Sequence, residues 1–259
     1  MTQLLETQFI GRNVLCFESI DSTNDFLKNM ARQLPNGTVV IAEEQLSGRG
    51  SRGNKWVSTK GQMVEFSFML FNNSFTKLPP VTLICALAVV RALNMLCGGD
   101  FFIKWPNDIV CDGKKVCGIL CESKIEKSCC TTVCGIGINI SQDADFFVHS
   151  GIPDGASIKM LKVNAPSHEQ LIAAILNFFE QIFTALEHGS ERETATFFSD
   201  YSELCVTLGK QIRAHIHGSE IVGTAKAVNT DGTLSIMCEG KNISLVSGEV
   251  SVRGIMGYI

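Results

Sequence analysis

FFIKWPNDIVCDGKKVCGILCESKIEKSCCTTVCGIGINI, residues 101–140, is a run of apolar and β-branched segments separated by short polar turns. This pattern predicts successive strands at Phe101–Trp105, Ile109–Cys111, Val116–Lys124 and Thr131–Ile140. Between the second and third of these strands, Asp112-Gly113 is typical of a tight hairpin turn. Strands that follow one another directly, without a helix after each, favour an α+β protein over a strict βαβ alternation.

The flanking sequence adds strands before this run and helices on both sides of it. The further predicted strands are Val14–Ile20, Thr38–Ala42 and Met63–Phe71. The predicted helices are Asp21–Leu34, Pro79–Leu96, His168–Glu187 and Glu191–Tyr201. Capping residues and proline at the starts of the first two agree with the known preferences of helix N-termini. We therefore expect a mixed or antiparallel sheet that is flanked by helices.

The C-terminal part of the chain has a different sequence pattern. From about Leu208, short β-rich pieces are separated by glycine-containing pairs, which are His217-Gly218, Asp231-Gly232, Glu239-Gly240 and Ser247-Gly248. Turn signals at this spacing predict a small β-barrel. We therefore expect two domains, with residues 1–205 forming the larger one and residues 206–259 forming the barrel.

Length, composition and charge restrict the class of protein. The chain has 259 residues, 45% of them hydrophobic, and a formal net charge of −4. This composition is ordinary for a protein with a buried core, and the acidic balance disfavours general nucleic-acid binding. The N-terminus lacks a secretory pattern, and the apolar run Val81–Leu96 is short for a membrane span and contains Arg91 and Asn94. We expect a cytoplasmic protein that binds neither nucleic acid nor membrane.

The chain has 11 cysteines, and no two of them have a Cys-x-x-Cys spacing. Without that spacing a zinc site is disfavoured, and reduced thiols acting as small core hydrophobes are the favoured interpretation. Cys117 and Cys121 have the spacing of residues on one face of a strand, as do Cys130 and Cys134. The adjacent pair Cys129 and Cys130 leaves redox sensitivity open.

Ser47–Trp56, which reads SGRGSRGNKW, concentrates glycine and positive charge. Glycine lets the backbone approach a ligand closely, and Arg49, Arg52 and Lys55 supply cations suited to phosphate or carboxylate. Trp56 offers an aromatic face that can stack on a base or cover an apolar ligand. The Gly-Lys-Ser/Thr ending of a P-loop is absent, and from this stretch alone a loop with merely solvated charges stays an alternative.

A second polar cluster lies at the end of the first strand in the 101–140 run. Lys104–Asp108 offers a cation for phosphate, together with an amide and a carboxylate whose oxygens suit Mg²⁺. An ordinary Pro-Asn-Asp turn is the alternative for this segment. Lys115 follows the hairpin turn, and glycines at Gly118 and in Gly135–Asn139 leave space beside a strand. Together with the glycine loop, these residues suit an anionic substrate, a nucleotide phosphate and a metal ion in one pocket.

The order and residue types of these segments resemble the biotin–protein ligase family, also called the biotin–[acetyl-CoA-carboxylase] ligases. The matching pieces are Asp21–Asn24, Glu43–Gln45, Ser47–Ser58, Lys104–Asp108, Lys114–Glu122, Gly135–Asn139 and Gly248–Arg253. No single piece is specific, but the combination spans nearly the whole chain from residue 14. The resemblance implies an α+β catalytic domain of the class II synthetase type, with a mixed or antiparallel sheet, and a small C-terminal SH3-like β-barrel.

Members of this family join biotin to ATP, forming biotinyl-5′-AMP and pyrophosphate, and then pass biotin to one lysine of a biotin carboxyl carrier domain. The resemblance therefore implies biotin and ATP as substrates, Mg²⁺ as cofactor, and the carrier domain of a carboxylase such as acetyl-CoA carboxylase as acceptor. Relatives are monomers or homodimers, and both states stay open. Some relatives repress transcription through an N-terminal DNA-binding domain. Only about a dozen residues precede the first predicted strand, so a repressor role is not expected.

The resemblance also implies roles for individual residues. Lys115 and Arg49 would be catalytic, with Lys115 bridging the biotin carboxylate and the α-phosphate. The residues implied in biotin binding are Ser22, Thr23, Asn24, Gln45, Arg49, Gly50, Ser51, Lys115 and Gly118. Those implied at ATP or the adenylate are Arg52, Trp56, Lys104, Asn107 and Asn139, and those at the metal are Asn107 and Asp108. The glycine loop would act as a lid that protects the mixed anhydride from water.

Ser51 departs from the family pattern. Many members have arginine at this position, in a Gly-Arg-Gly-Arg sequence, whereas serine has no charge with which to hold the intermediate. The neighbouring Arg52 could take over that contact. We expect Ser51 to loosen the lid and to speed the escape of biotinyl-AMP. Asn54 also replaces a residue that is basic in some relatives, so its contacts stay open.

Three other functions compete with this interpretation. A lipoate–protein ligase performs similar chemistry, but the Gly-Arg loop and the Lys-Trp-Pro-Asn-Asp segment favour biotin. A non-catalytic biotin-binding or regulatory protein is disfavoured by the presence of Lys104, Asp108 and Lys115. An RNA-binding segment is disfavoured by the acidic balance of the chain and by its single short basic cluster.

Overall fold

The computed structural model of the protein contains two β-sheets, the larger of which is flanked by helices. The structure describes residues 1–72, 78–126, 129–216, 219–247, 251–254 and 258–259. The predicted α+β class, with a mixed sheet and flanking helices, is confirmed. Among the described residues, no helix combines the length and the hydrophobicity that crossing a bilayer requires.

Seven strands of the described chain form the larger sheet. They are β1 (Val14–Phe17), β2 (Val39–Ala42), β3 (Met63–Asn72), β4 (Phe102–Lys104), β5 (Asp108–Cys111), β6 (Lys114–Glu126) and β7 (Cys129–Asn139). Their order across the sheet is β1-β2-β3-β7-β6-β5-β4. β1 and β2 pair in parallel and the other neighbours pair antiparallel. Asp112 and Gly113, which connect β5 and β6, both have positive φ, so the predicted tight hairpin turn is confirmed.

The described α-helices cover both faces of this sheet. They are α1 (Thr23–Met30), α2 (Val81–Cys97), α3 (Ala144–His149), α4 (His168–His188) and α5 (Glu191–Leu204). α2 is buried along most of its length and packs against the sheet and α4. Val133 packs with Leu27 of α1, whereas its neighbour Cys134 packs in the core around α2. Because neighbouring strand residues point to opposite faces, α1 and α2 lie on opposite sides of the sheet.

Several boundaries differ from the sequence-based expectations. β1 ends at Phe17 rather than at Ile20, because Ile20 makes only an isolated bridge to Gln45. α1 ends at Met30 rather than at Leu34. The short helix α3 was not predicted, because its six residues are too few to show a helical period.

A second sheet contains five strands of the described C-terminal residues, all paired antiparallel. They are β8 (Gln211–Ile216), β9 (Ser219–Val228), β10 (Leu234–Cys238), β11 (Lys241–Leu245) and β12 (Ser251–Gly254), in the order β11-β10-β9-β8-β12. The buried indole of Trp105 donates to the Gly232 carbonyl at 3.1 Å and so joins the two sheets. The domain boundary near residue 205 stays a prediction. Of the segment that resembles the family ending, 248–250 lie outside the described residues.

Candidate active site

Two cavities that share part of their lining contain the predicted site residues. The small cavity, of about 50 Å³, is lined by all nine residues predicted to bind biotin and by Asn107. The large cavity, of about 640 Å³, is lined by five residues predicted at the nucleotide or metal, which are Arg52, Trp56, Lys104, Asp108 and Asn139. Ser51, Trp56 and Lys115 line both cavities. The two predicted groups therefore meet at a shared wall.

The N-terminus of α1 and the segment after β2 form a hydrogen-bonded wall of the small cavity. Ser22 caps α1, and its Oγ accepts from the Asp25 amide at 3.3 Å. The backbone amide and the hydroxyl of Thr23 both donate to Oε1 of Gln45, at 2.9 and 3.1 Å. Because Ser22 and Thr23 are buried and their partners are fixed, this wall presents oriented polar groups to a ligand.

Glu65, a buried acid on β3, supports this wall from behind. Its Oε1 accepts from Nε2 of Gln45 at 2.9 Å, and its Oε2 accepts from the Ser58 hydroxyl at 2.5 Å. Burial raises the pKa of the Glu65 carboxyl. Since the amide nitrogen of Gln45 is bound to Glu65, its oxygen faces Thr23. Sequence reasoning missed Glu65, although an acid in the otherwise apolar run Met63–Phe71 was the available signal.

Asn24 joins α1 to β3 and β6, the strands on either side of β7. Its Nδ2 donates to the Leu120 carbonyl at 3.3 Å and to Glu122 Oε2 at 3.0 Å, and its Oδ1 accepts from the Ser67 hydroxyl at 2.6 Å. Gly135 makes room for this amide, because a Cβ at that position would lie 2.2 Å from Asn24 Oδ1. The buried side chain of Asn24 therefore fixes the wall of the cavity by its hydrogen bonds to both strands.

Arg49 is held by two carboxylates that the sequence did not single out. It donates to Oδ1 of Asp25 at 2.7 Å, and its other terminal nitrogen lies 3.0 Å from Oε1 of Glu122. The hydrogen bond that Arg49 donates to Asp25 raises the pKa of Arg49, although partial burial opposes this. Asp25 lies on the first turn of α1 and Glu122 on β6, so Arg49 ties the glycine loop to both. The two carboxylates hold the guanidinium at the edge of the small cavity.

Trp56 covers the glycines of the small cavity. A Cβ on Gly137 would lie 2.5 Å from the Trp56 indole, and one on Gly118 would lie 3.1 Å from it. The same position at Gly118 is 3.2 Å from Nζ of Lys115. The space beside Gly118, one of the residues that the resemblance implies in biotin binding, is therefore filled in this structure by Trp56 and Lys115.

Lys115 is part of a charge network at the junction of the two cavities. Its Nζ lies 2.5 Å from Oδ1 of Asp108, whose Oδ2 lies 4.0 Å from Nζ of Lys104. The Tyr258 hydroxyl also donates to Oδ2 of Asp108, and Lys104 lies over the Tyr258 ring at 3.9 Å from its centroid. Sequence reasoning missed Tyr258, because nothing near it in the chain indicates that the C-terminus returns to this site.

Burial and mutual charge shift the pKa values of this network. Burial lowers the pKa of Lys104 to about 8, and the Asp108 carboxylate only partly offsets the effect. For Asp108, burial opposes ionisation, but Lys115 and Lys104 lower the pKa below its usual value. Asp108 is therefore a carboxylate at neutral pH, and Lys104 can lose its proton slightly above neutral pH.

In this structure the carboxylate of Asp108 holds protein partners that a magnesium ion would have to displace. Both oxygens of Asp108 are engaged, by Lys115 on one side and by Tyr258 on the other. Asn107 donates through Nδ2 to the Ile119 carbonyl at 2.7 Å. Two lysines beside the carboxylate also disfavour a divalent cation electrostatically. The metal role of these two residues stays a prediction.

The remaining predicted nucleotide residues differ in how they are held. Asn139 is buried, and its Nδ2 donates to the Ala156 carbonyl at 3.1 Å, which fixes the segment after α3 beside Lys115. Arg52 lies in the glycine loop with a positive φ of 58°. This loop is closed on itself, since the Gly50 amide donates to the Asn54 carbonyl at 2.8 Å.

Comparison with protein families gives one match over the larger sheet. The model of the biotin/lipoate A/B protein ligase family matches residues 16–139. This range runs from β1 to the end of β7 and includes every residue of the small cavity.

Curated relatives and solved structures extend the similarity beyond that range. The bifunctional ligase/repressor BirA of Bacillus subtilis is 29% identical over 233 residues, which are 89% of this chain and 71% of the relative. The biotin–[acetyl-CoA-carboxylase] ligase of Mycobacterium tuberculosis is 26% identical over 221 residues, 83% of this chain and 79% of the relative. The structure of biotin protein ligase from Aquifex aeolicus with biotin and ATP has a TM-score of 0.78 and 26% identity, and the match covers 94% of this chain and 99% of that one.

Proposed function

This chain belongs to the biotin protein ligase family, and we propose that it activates biotin with ATP and transfers it to a protein lysine. The activated intermediate would be biotinyl-5′-AMP, and the acceptor would be a biotin carboxyl carrier domain. One observation supports this most strongly. Lys115 stands in the wall shared by a small cavity with oriented polar groups and a large cavity with cationic lining.

Charge is the main obstacle to the first step, and the residues at the junction address it. The biotin carboxylate must approach an anionic α-phosphate, so negative charge accumulates where the two meet. Nζ of Lys115, which Asp108 holds at 2.5 Å in this structure, would lie at that point. A cation that is already oriented stabilises the developing charge without reorganising during the reaction. Lys104 supplies a second positive charge on the nucleotide side.

The wall of the small cavity suits the ureido ring of biotin. That ring offers a carbonyl acceptor and two N–H donors, which match the hydroxyls of Ser22 and Thr23 and the amide of Gln45. The hydrogen bond from Gln45 to Glu65 prevents the side-chain amide of Gln45 from flipping. A ligand with the same acid tail but without such a ring would not form these hydrogen bonds, each of which contributes about 0.5–1.5 kcal/mol.

Arg49 and the glycine loop would close the site over the biotin carboxylate. In this structure the guanidinium is satisfied by Asp25 and Glu122. A bound carboxylate would replace one of them, and the loop would follow the side chain. Closure of this kind excludes water from a mixed anhydride that is easily hydrolysed. We propose that Mg²⁺ arrives with the phosphates of ATP.

The test of this function is the covalent product. The protein is incubated with ATP, Mg²⁺, biotin and a biotin carboxyl carrier domain, and the carrier is weighed by mass spectrometry. A single biotinyl adduct on the acceptor lysine supports the proposal. The same incubation with lipoate and a lipoyl domain is the matched comparison, and an adduct only there would assign the chain to the lipoate branch instead.

ATP binding is expected to weaken as the pH rises through the pKa of Lys104, which is about 8. A depressed lysine pKa means that the charged amine, and its contact with phosphate, is present below that pH and lost above it. The KM for ATP should therefore rise above pH 8, by at most about tenfold per pH unit. Steady-state kinetics on both sides of pH 8 measure this.

A Lys104→Arg variant is the control for this pH dependence. Arginine keeps its charge throughout this range, so its KM for ATP should stay level where that of the native protein rises. Parallel profiles for the two proteins would show that another group causes the change.

Replacing Ser51 by arginine is expected to slow the escape of biotinyl-AMP by about 10–100-fold, the worth of one charge-assisted hydrogen bond. Ser51 lines both cavities, so a guanidinium there reaches the intermediate. Release is measured by trapping labelled adenylate after gel filtration. A Ser51→Gln variant adds length without charge and should release the adenylate as fast as the native protein. Equal release rates of biotinyl-AMP from the arginine variant and the native protein would contradict the proposed role of Ser51 in the lid.

A further inference from the structure

Three thiols from three different elements meet on the face of the large sheet that is opposite to α1. Cys85 comes from α2, Cys121 from β6 and Cys134 from β7. Cys121 and Cys134 are directly paired across the two strands, and the sulfur atoms of all three lie within 4.8 Å of one another. Their wide separation in the chain explains why ligand spacing in the sequence gave no sign of them.

We propose that this thiol trio binds a soft, thiophilic metal ion, and that the ion is Cu(I). The sulfurs of Cys121 and Cys85 are 3.9 Å apart. Metal–sulfur bonds of about 2.3 Å place the sulfurs of a planar three-coordinate site about 4 Å apart. The trio therefore has nearly the required separation before any ion enters. This proposal goes beyond the proposed function and does not depend on it.

The donor set selects the kind of ion. In the described part of the chain, no histidine, aspartate or glutamate ligand atom joins these three sulfurs. Structural zinc sites use four ligands in a tetrahedron, whereas soft thiolates without a fourth donor suit Cu(I). Hard ions such as Mg²⁺ prefer oxygen ligands and have none here.

An ion can reach the trio through a third cavity. Cys121 is partly exposed and lines a cavity of about 410 Å³ together with Thr82 at the start of α2. Binding would release the three thiol protons to solvent, so affinity should rise with pH.

The test titrates the whole protein, reduced and without biotin or ATP, with Cu(I) in competition with a coloured copper chelator under argon. The native protein should retain one Cu(I) at the trio, and X-ray absorption of that complex should show three sulfur neighbours. The variants Cys85→Ala, Cys121→Ala and Cys134→Ala should each weaken binding by more than about tenfold, since even losses outside the ligand shell cost about 10–100-fold.

Cys205→Ala is the matched control, because Cys205 is a buried thiol outside the trio. It should retain copper like the native protein, and circular dichroism should show that each variant is folded. Retention that is unchanged in Cys121→Ala would overturn the proposal. Fewer than three sulfur neighbours in the native complex, a measurement that needs no variant, would also overturn it. Binding of Zn²⁺ but not Cu(I) would contradict the assigned ion.

Discussion

In a Lys115→Met variant, biotin-dependent pyrophosphate release falls by on the order of 10²–10³-fold, because one preorganised electrostatic contact is lost. Methionine keeps the apolar stem and removes only the amine. The amine lies 2.5 Å from Asp108 and lines both cavities, so its loss leaves the two anionic substrates without a cation between them. Stopped assays of pyrophosphate at saturating biotin and ATP measure the change.

The neighbouring lysine provides the control for that result. Lys114 is exposed on the same strand and lines neither cavity, so Lys114→Met should leave the rate near that of the native protein. Thermal unfolding of both variants separates a catalytic loss from a folding defect. A folded Lys115→Met variant with a native rate would show that this amine does not act on the reacting groups.

An Arg49→Ala variant should have a KM for biotin about 10–100-fold above that of the native protein, since hydrogen bonds to charged groups contribute about 1.5–3 kcal/mol. The fold should lose little stability, because the side chain of Arg49 is 40% exposed and such ion pairs contribute little. Titration of biotin in the pyrophosphate assay gives the KM, and thermal unfolding gives the stability.

Lys60→Ala is the comparison for Arg49. Lys60 is a half-exposed cation that pairs with Glu18 and Glu43 and lines neither cavity. Its loss should leave the KM for biotin unchanged. If both variants shifted the KM equally, general positive charge rather than the placement of Arg49 would govern biotin binding.

Most of the fold could be predicted because its signals are local. The apolar strands of 101–140 and the Asp112-Gly113 turn are visible in a few residues, and the structure has them where expected. The short helix α3 lacked such a signal, as six residues make fewer than two helical turns. The order of the strands had no local signal in the sequence either, because the pairing of β3 with β7 joins segments about sixty residues apart in the chain.

The residues of the candidate site likewise fall into those with a local sequence signal and those without one. The residues of the glycine loop and of 104–118 carry distinctive chemistry, so they could be named before their neighbours were known. Glu122 and Tyr258 could not, because each acts through a contact that only the fold creates, and Glu65 was visible only as an acid in a mostly apolar strand. The resemblance named the residues that would touch the ligand, and the structure added those that hold them in place.

The most direct test of the central claim is the exchange of labelled pyrophosphate into ATP, with and without biotin. This reaction reports only the meeting of the carboxylate and the α-phosphate at Lys115, and it needs no acceptor protein. We predict exchange that requires biotin and is lost in Lys115→Met. No exchange by the native protein with biotin and ATP would contradict the account.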